Sequence, residues 1–292
     1  MNDPILLNGY LLSQQKNEAL KQVLTQYPKI SLATILVGDD KASHIYINAK
    51  IKACHNVGIT PIPLFLSKDI TKQELLKKIE ELNEDSSIHG ILVQLPLPSH
   101  LDSYHILAAI KPQKDVDCFH PFNIGNLYAG VSDFAPATST GILMLLDSIK
   151  EQWNLESKNA VIVGASNIVG KPTAMLLLQK NATITIAHKK TNNLKELCLT
   201  ADLIVVAAGK INLITEDMVK QGAVVIDVGM NRIQHGEHSI LVGDVDFENA
   251  KKKSFAITPV PKGVGPMTIS ALLYNLYFLY NKYHSKNNND LR

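Results

Sequence analysis

Cysteine is scarce: Cys54, Cys118 and Cys198 are the three present, far apart along 292 residues. They form no CxxC pair and no disulfide framework, which excludes a stapled secreted scaffold and points to a reducing compartment. An excess of one charge is also lacking. The formal net charge of +2 gives no global basis for binding nucleic acid or a membrane surface. No apolar run reaches the roughly 18 residues of a membrane span. Met1-Asn-Asp-Pro4 shows no basic leader or signal-peptide cleavage pattern. The expectation is a cytoplasmic protein with no membrane and no nucleic-acid partner. There is no H-E-x-x-H and no Cys–His cluster, so no metal is expected, and no G-x-S-x-G nucleophile elbow.

What is present is a hydrophobic fraction of 46% and a repeating strand–helix rhythm. The length suits one large domain or two ordinary ones. Residues 10–26 read as an amphipathic helix. Strands at 32–37, 62–66 and 88–95 alternate with helices at 43–57, 71–83 and 101–110. Three βα units in a row predict a small parallel sheet. Residues 111–139 are rich in Asp, Pro, Gly and Asn with little periodicity, and read as a functional loop or a domain joint. A helix at 141–150 leads into a second α/β series with strands at 160–163, 182–187, 203–207 and 223–228. A late helix covers 266–280, and 284–292 is a polar tail.

The most informative segment is Gly164-Ala165-Ser166-Asn167-Ile168-Val169-Gly170, between an apolar strand and a helix. A glycine turn opening a helix presents backbone N–H groups to a phosphate. The spacing departs from G-x-G-x-x-G, and a plain strand-to-helix turn has the same pattern. The following strand ends in His188-Lys189-Lys190, where an NAD site prefers an acidic residue. Cations there, with Lys171 just past the glycines, suit the 2′-phosphate of NADP.

Three further clusters could carry chemistry. Ser43, Tyr46 and Lys50 share one helical face. They fit either a proton-handling pair or an ordinary helix whose lysine reaches water. Gln94-Leu-Pro-Leu-Pro98 lies at the C-terminal end of a parallel strand, where α/β proteins bind ligands, although prolines also simply end strands. Asp115-Val-Asp117 can hold an amino-substituted ring or cap a turn. The loop Thr258–Thr268, with three prolines and two glycines, is shaped to enclose a ligand or join domains. Asp227-Val-Gly229-Met230 and Gly243-Asp244-Val245 are candidate walls around a nicotinamide.

Taken in order, Ser43-x-x-Tyr46-x-x-x-Lys50, Gly90–Pro98, Lys114-Asp-Val-Asp117, Gly164–Gly170 and Pro259-Val-Pro-x-Gly263-Val-Gly-Pro-Met-Thr268 resemble the bifunctional methylenetetrahydrofolate dehydrogenase/methenyltetrahydrofolate cyclohydrolase family. The resemblance implies two α/β domains around a cleft, the second Rossmann-like and NADP-binding. It places 1–139, completed by the helix 266–292, in the folate-binding domain and 140–265 in the NADP-binding one. It implies a homodimer in one-carbon metabolism serving purine biosynthesis. By the same resemblance Lys50, Tyr46, Gln94 and Asp117 are catalytic. Tyr46, Gln94, Asp117, Pro259 and Gly263 contact the folate. Gly164, Ala165, Ser166, Gly170, Lys171, His188, Lys189, Gly229 and Met230 contact NADP. A dehydrogenase with little cyclohydrolase activity, or a non-catalytic dinucleotide sensor, are the alternatives.

The sequence departs from the family's usual pattern at Cys118, where glycine is usual, at Ser139, where proline is common, at Lys262, where glycine is usual, and at Lys171 in place of arginine.

Overall fold

The structure, a computed structural model, describes residues 3–132, 134–235 and 238–284. The chain opens with β1 (Ile5–Leu6) and α1 (Gly9–Leu24). The three βα repeats follow as β2 (Ser31–Val37), α2 (Lys41–Val57), β3 (Thr60–Leu66), α3 (Lys72–Glu84), β4 (Gly90–Val93) and α4 (Ser103–Leu107). Helix α5 (Pro121–Tyr128) interrupts the segment read as loop. After it come α6 (Ala137–Asp147), β5 (Asn159–Val163), α7 (Gly170–Gln179), β6 (Thr183–Ala187), α8 (Leu194–Thr200), β7 (Leu203–Val206) and β8 (Val224–Asp227). A hairpin of β9 (Asn231–His235) and β10 (His238–Val242), then α9 (Phe247–Ala250), β11 (Ala256–Ile257) and α10 (Val264–Tyr283), complete the described chain. The polar tail beyond residue 284 lies outside the described residues. No helix among the described residues is long and apolar enough to cross a membrane.

Two compact units emerge. One holds Gln14–Ala129, Phe134–Ala137 and Ile269–Arg292; the other holds Met1–Ser13, Gly130–Asp133 and Thr138–Thr268. This division departs from the boundaries expected from the resemblance at the N-terminus. Strand β1 pairs in parallel with β11 through Ile5↔Ala256 and Leu6↔Ile257, so residues before Gln14 join the second unit. The alternating pattern around Ile5-Leu6 is too short to announce a strand, which is why the sequence hid it.

In the first unit the parallel sheet runs β3-β2-β4. Every residue of β2 is buried, as a central parallel strand requires. Pro61 and Pro63 sit on the edge strand β3, where lost N–H donors are tolerated. Ala33, Ile35, Val37, Leu75, Ile79, Ile91 and Ile106 build the core on one face. Helix α3 starts with a capping box: Thr71 accepts from the Glu74 N–H and Glu74 accepts from the Thr71 N–H.

In the second unit the sheet runs β1-β11-β8-β7-β5-β6, parallel throughout. Its central strands β7 and β8 are fully buried. Leu203, Val205, Val224 and Ile226 pack one face with Ile142 and Leu177, while Ile204, Val206 and Val225 pack the other with Cys198 and Val219. Both faces covered by apolar side chains is the doubly wound arrangement.

Candidate active site and nucleotide site

Helix α2 begins at Asp40, whose carboxylate accepts from the Ser43 N–H at 2.7 Å and the Ser43 hydroxyl at 2.8 Å. Ser43 is thus engaged in the N-cap, not in chemistry. Two turns on, Lys50 is 9% exposed, and its Nζ donates to Gln94 Oε1 at 2.9 Å. Gln94 is aimed by its own amide, whose Nε2 donates to the Leu95 carbonyl at 2.7 Å. Burial holds the Lys50 pKa below its ordinary value; the Asp117 carboxylate, and then Cys54, oppose that shift. Asp117 is half-buried. Burial lifts its pKa to about 6 against the opposing pull of Lys50, with Asp115 adding to the rise. Cys54, one turn after Lys50, is fully buried and its thiol is pushed up to about 12, so it stays protonated. Tyr46 stands one turn before Lys50, half-buried. The fold therefore joins Lys50, Gln94 and Asp117 into one electrostatic group, with Tyr46 on the same helix face.

The two aspartates of the Asp-Val-Asp segment divide their roles. Asp115 is 1% exposed and accepts from the Phe119 N–H at 3.1 Å, the His120 N–H at 2.8 Å and Asn123 Nδ2 at 2.9 Å. It organises the turn, the alternative the sequence left open. The Lys114 Nζ donates to the carbonyls of Leu82 and Asp85 at 2.9 and 2.7 Å, another structural role. Cys118 takes φ +59 with its side chain buried. That left-handed conformation is one glycine adopts without steric cost, so Cys118 carries local backbone strain.

In the second unit the glycine turn follows β5. Gly164 has φ +125, and a Cβ there would lie 2.2 Å from the Ala207 carbonyl oxygen. A Cβ on Gly170 would lie 1.8 Å from the Gly164 oxygen. Both positions admit only glycine, because the backbone folds onto itself at the start of α7. Ser166 Oγ accepts from the Val169 and Gly170 N–H groups at 3.1 and 3.3 Å. Ala165 lies in the same turn, where its Cα would stand 3.3 Å from a Gly170 Cβ. Lys171 reaches Asn167 Oδ1 at 2.8 Å in the open, and His188 and Lys189 are exposed at the end of β6. The His188 N–H donates to Thr191 Oγ1 at 3.0 Å, which shapes that turn.

A network missed as such in the sequence ties the sheet's C-terminal edge together. Asp227, 3% exposed at the end of β8, accepts from the N–H groups of Gly229 (2.9 Å), Asp244 (3.0 Å) and Val245 (3.0 Å). Burial lifts its pKa to about 6. Asp244 accepts from the Ala208 and Gly209 N–H groups at 2.7 and 2.8 Å and from Asn231 Nδ2 at 2.8 Å. A Gly243 Cβ would fall 1.8 Å from Asp227 Oδ2. The available signal was two acidic residues at strand ends, Asp227 two residues before Gly229 and Asp244 directly after Gly243. Met230 is exposed close to Gly265, whose Cβ would stand 3.7 Å from its sulfur. Pro259 and Gly263 lie in the loop after β11, where a Gly263 Cβ would meet the Pro259 oxygen at 2.4 Å. Ser139, 1% exposed, shares a 2.8 Å hydrogen bond with the buried Thr173 hydroxyl.

A buried lysine held by a strand-end glutamine beside a carboxyl of raised pKa, and a doubly wound sheet with a glycine turn at a helix start, define a nucleotide-dependent α/β enzyme. Residues 7–117 match the catalytic domain of the tetrahydrofolate dehydrogenase/cyclohydrolase family, and residues 136–284 its NAD(P)-binding domain. The chain belongs to that family. It is an oxidoreductase and hydrolase of tetrahydrofolate one-carbon chemistry. It is 52% identical over 287 residues to a bifunctional FolD protein of Sulfurihydrogenibium sp. strain YO3AOP1, covering 95% of this chain and 98% of the relative. The crystal structure of the bifunctional FolD enzyme of Campylobacter jejuni is similar with TM-score 0.90 and 49% identity, over 95% of this chain and 98% of that one. The Trypanosoma brucei enzyme, solved with NADP cofactor and an inhibitor, gives TM-score 0.92 and 33% identity over 97% and 99%.

Proposed function

We propose that this chain oxidises 5,10-methylenetetrahydrofolate to the 5,10-methenyl cation with NADP, and then hydrolyses that cation to 10-formyltetrahydrofolate. The observation that carries it is the Lys50–Gln94 pair: a buried amine aimed by a 2.9 Å hydrogen bond, with burial lowering its pKa from the ordinary lysine value, as a group that hands a proton on and takes it back requires. When bound, NADP takes up the hydride. The cradle formed where Gly164 and Gly170 exclude any Cβ fits its pyrophosphate. Gly164, Ala165, Ser166 and Gly170 hold that group, and Gly229 and Met230 border the nicotinamide. Lys171, His188 and Lys189 face the adenosine phosphate end, and no acidic residue ends β6, which favours NADP over NAD.

In the hydrolytic half, Lys50 accepts one proton of the water that adds to the methenyl carbon and returns it to the leaving nitrogen as the C–N bond breaks, while the remaining hydroxyl proton leaves to solvent as the formyl C=O bond forms. Gln94 keeps the amine aimed, Tyr46 orients it and stacks on the folate, and Asp117 accepts from the pterin's amino-pyrimidine edge. Pro259 and Gly263 complete the folate contact. The domain boundaries follow the two compact units. The working form is a homodimer in the cytoplasm, supplying one-carbon units for purine biosynthesis. The test is spectrophotometric: methenyl formation with NADP or NAD, and methenyl loss, in the parent and in Lys50→Met. Cyclohydrolase turnover unchanged in Lys50→Met, or a parent that prefers NAD, overturns the reading.

A further inference from the structure

We propose that Asn275, on α10, is the positioning residue that fixes Asp117 for the pterin. The inference rests on reading Asp117 as the pterin-binding carboxylate. Asn275 is 5% exposed, and its Nδ2 donates to two carbonyls, those of Val116 and Ala135, at 3.0 Å each. Val116 immediately precedes Asp117 and is itself fully buried. An amide nitrogen has two protons, so one side chain clamps the backbone entering the Asp117 turn and the segment leading into α6. A hydrophobic side chain cannot do this, and a carboxylate would set oxygen against two carbonyl oxygens.

The packing reinforces the clamp. Gly90 on β4 has no Cβ; one built there would meet Val116 Cγ1 at 2.4 Å and Leu276 Cδ1 at 2.6 Å. Val116 and the residue after Asn275 thus both press on the strand that leads to Gln94. On the far side of Asp117, the Asp115 carboxylate grips the N–H groups of Phe119 and His120, and Cys118 Sγ donates to the Phe134 carbonyl at 3.4 Å. Asp117 is suspended between two anchored stretches, and Asn275 supplies the anchor on the side of β4. A side chain from the far end of the chain thereby sets where the carboxylate stands relative to Lys50.

Steady-state kinetics of Asn275→Leu and Asn275→Ser, with 5,10-methylenetetrahydrofolate varied at saturating NADP and NADP varied at saturating folate, test this. The expected result is a rise in folate KM of about tenfold for Leu and a smaller rise for Ser, which retains one donor, with the NADP KM within about twofold of the parent. A residue serving stability alone would lower the active fraction, and so kcat, with both KM values unmoved. Should Asn275→Leu not fold, Asn275→Ser decides alone. Unchanged folate KM in the folded variants overturns the proposal. Asp117→Asn is measured beside them. If it raises folate KM while the Asn275 variants do not, the positioning role fails by itself. If it leaves folate KM unchanged, the reading of Asp117 fails and the proposal with it.

Discussion

Replacing Gln94 by Glu changes one neutral acceptor into a charge at the same place. The Lys50 ammonium donates to Gln94 Oε1 at 2.9 Å, and burial disfavours the charged amine. A carboxylate at that distance attracts the ammonium by about 6 kcal/mol at an effective dielectric constant of 20. Desolvation of the new carboxylate cancels much of this. The remainder matches the shift of about 1–3 pK units seen for opposite charges in close contact. The amine that must be neutral to take a proton is then held more strongly in its charged form. The acidic limb of the cyclohydrolase kcat/KM profile moves up by about 1–3 pH units. At a pH on that limb each unit removes about tenfold of activity. Methenyl loss followed by absorbance from pH 5.5 to 9.5 in parent and variant reads this directly. A variant that keeps its activity with the acidic limb in place shows that the ionisation of Lys50 does not govern hydrolysis.

Gly170→Ala sets a methyl where the Gly164 carbonyl oxygen would lie 1.8 Å away, a backbone clash that only a displaced turn relieves; NADP KM should rise at least about tenfold with folate KM little changed, and an unaltered NADP KM in a folded variant removes the cradle from the cofactor site. Ser139→Ala strips the buried Thr173 hydroxyl of its partner and should cost about 1–2 kcal/mol, with Thr173→Val recovering part of it in a double-mutant cycle by urea denaturation; strict additivity counts against the pair. Asp227 carries a native pKa of about 6, above its ordinary 3.8, so the folded state binds that proton more tightly than the unfolded chain. Its contribution to stability is therefore fullest below pH 4 and falls by up to about 3 kcal/mol as pH rises to 6. Asp227→Asn, which also loses the Val245 contact, should gain in melting temperature relative to the parent over that interval, and a difference flat with pH refutes the assignment.

The parallel sheets were legible because their strands are long enough and apolar enough to be read without partners: β2 and β5 stand within one residue of the expected runs. Lys50 and Gln94 were legible as a face and a strand end, but not as a bonded pair, since nothing local says that α2 lies beside the end of β4. Helix α5 was missed because His120-Pro-Phe-Asn-Ile-Gly looks like punctuation, while His120 in fact accepts from the Phe122 N–H as N-cap and Pro121 sits at the first helical position. The hairpin β9–β10 and the strand β11 were missed because their meaning is in their pairing, not in their composition. The division of labour within Asp115-Val-Asp117 was out of reach, because it depends on which carboxylate meets the backbone of residues 119 and 120.

The pairing of β1 with β11 also bears on how the molecule is made. During synthesis the first strand leaves the ribosome with nothing to bind, since Ala256 and Ile257 are still to be translated. The stretch β2 to α4 can collapse on local contacts, yet α10, whose Ser270 and Tyr274 bond Asn17 and Lys16 of α1, emerges last of all. Each unit is thus closed by residues from opposite ends of the message. Contacts of such long sequence separation fold slowly and leave edges open in the meantime. A protease or chaperone meeting a nascent chain stopped short of β11 would find one sheet missing a strand and the other unit missing its last helix.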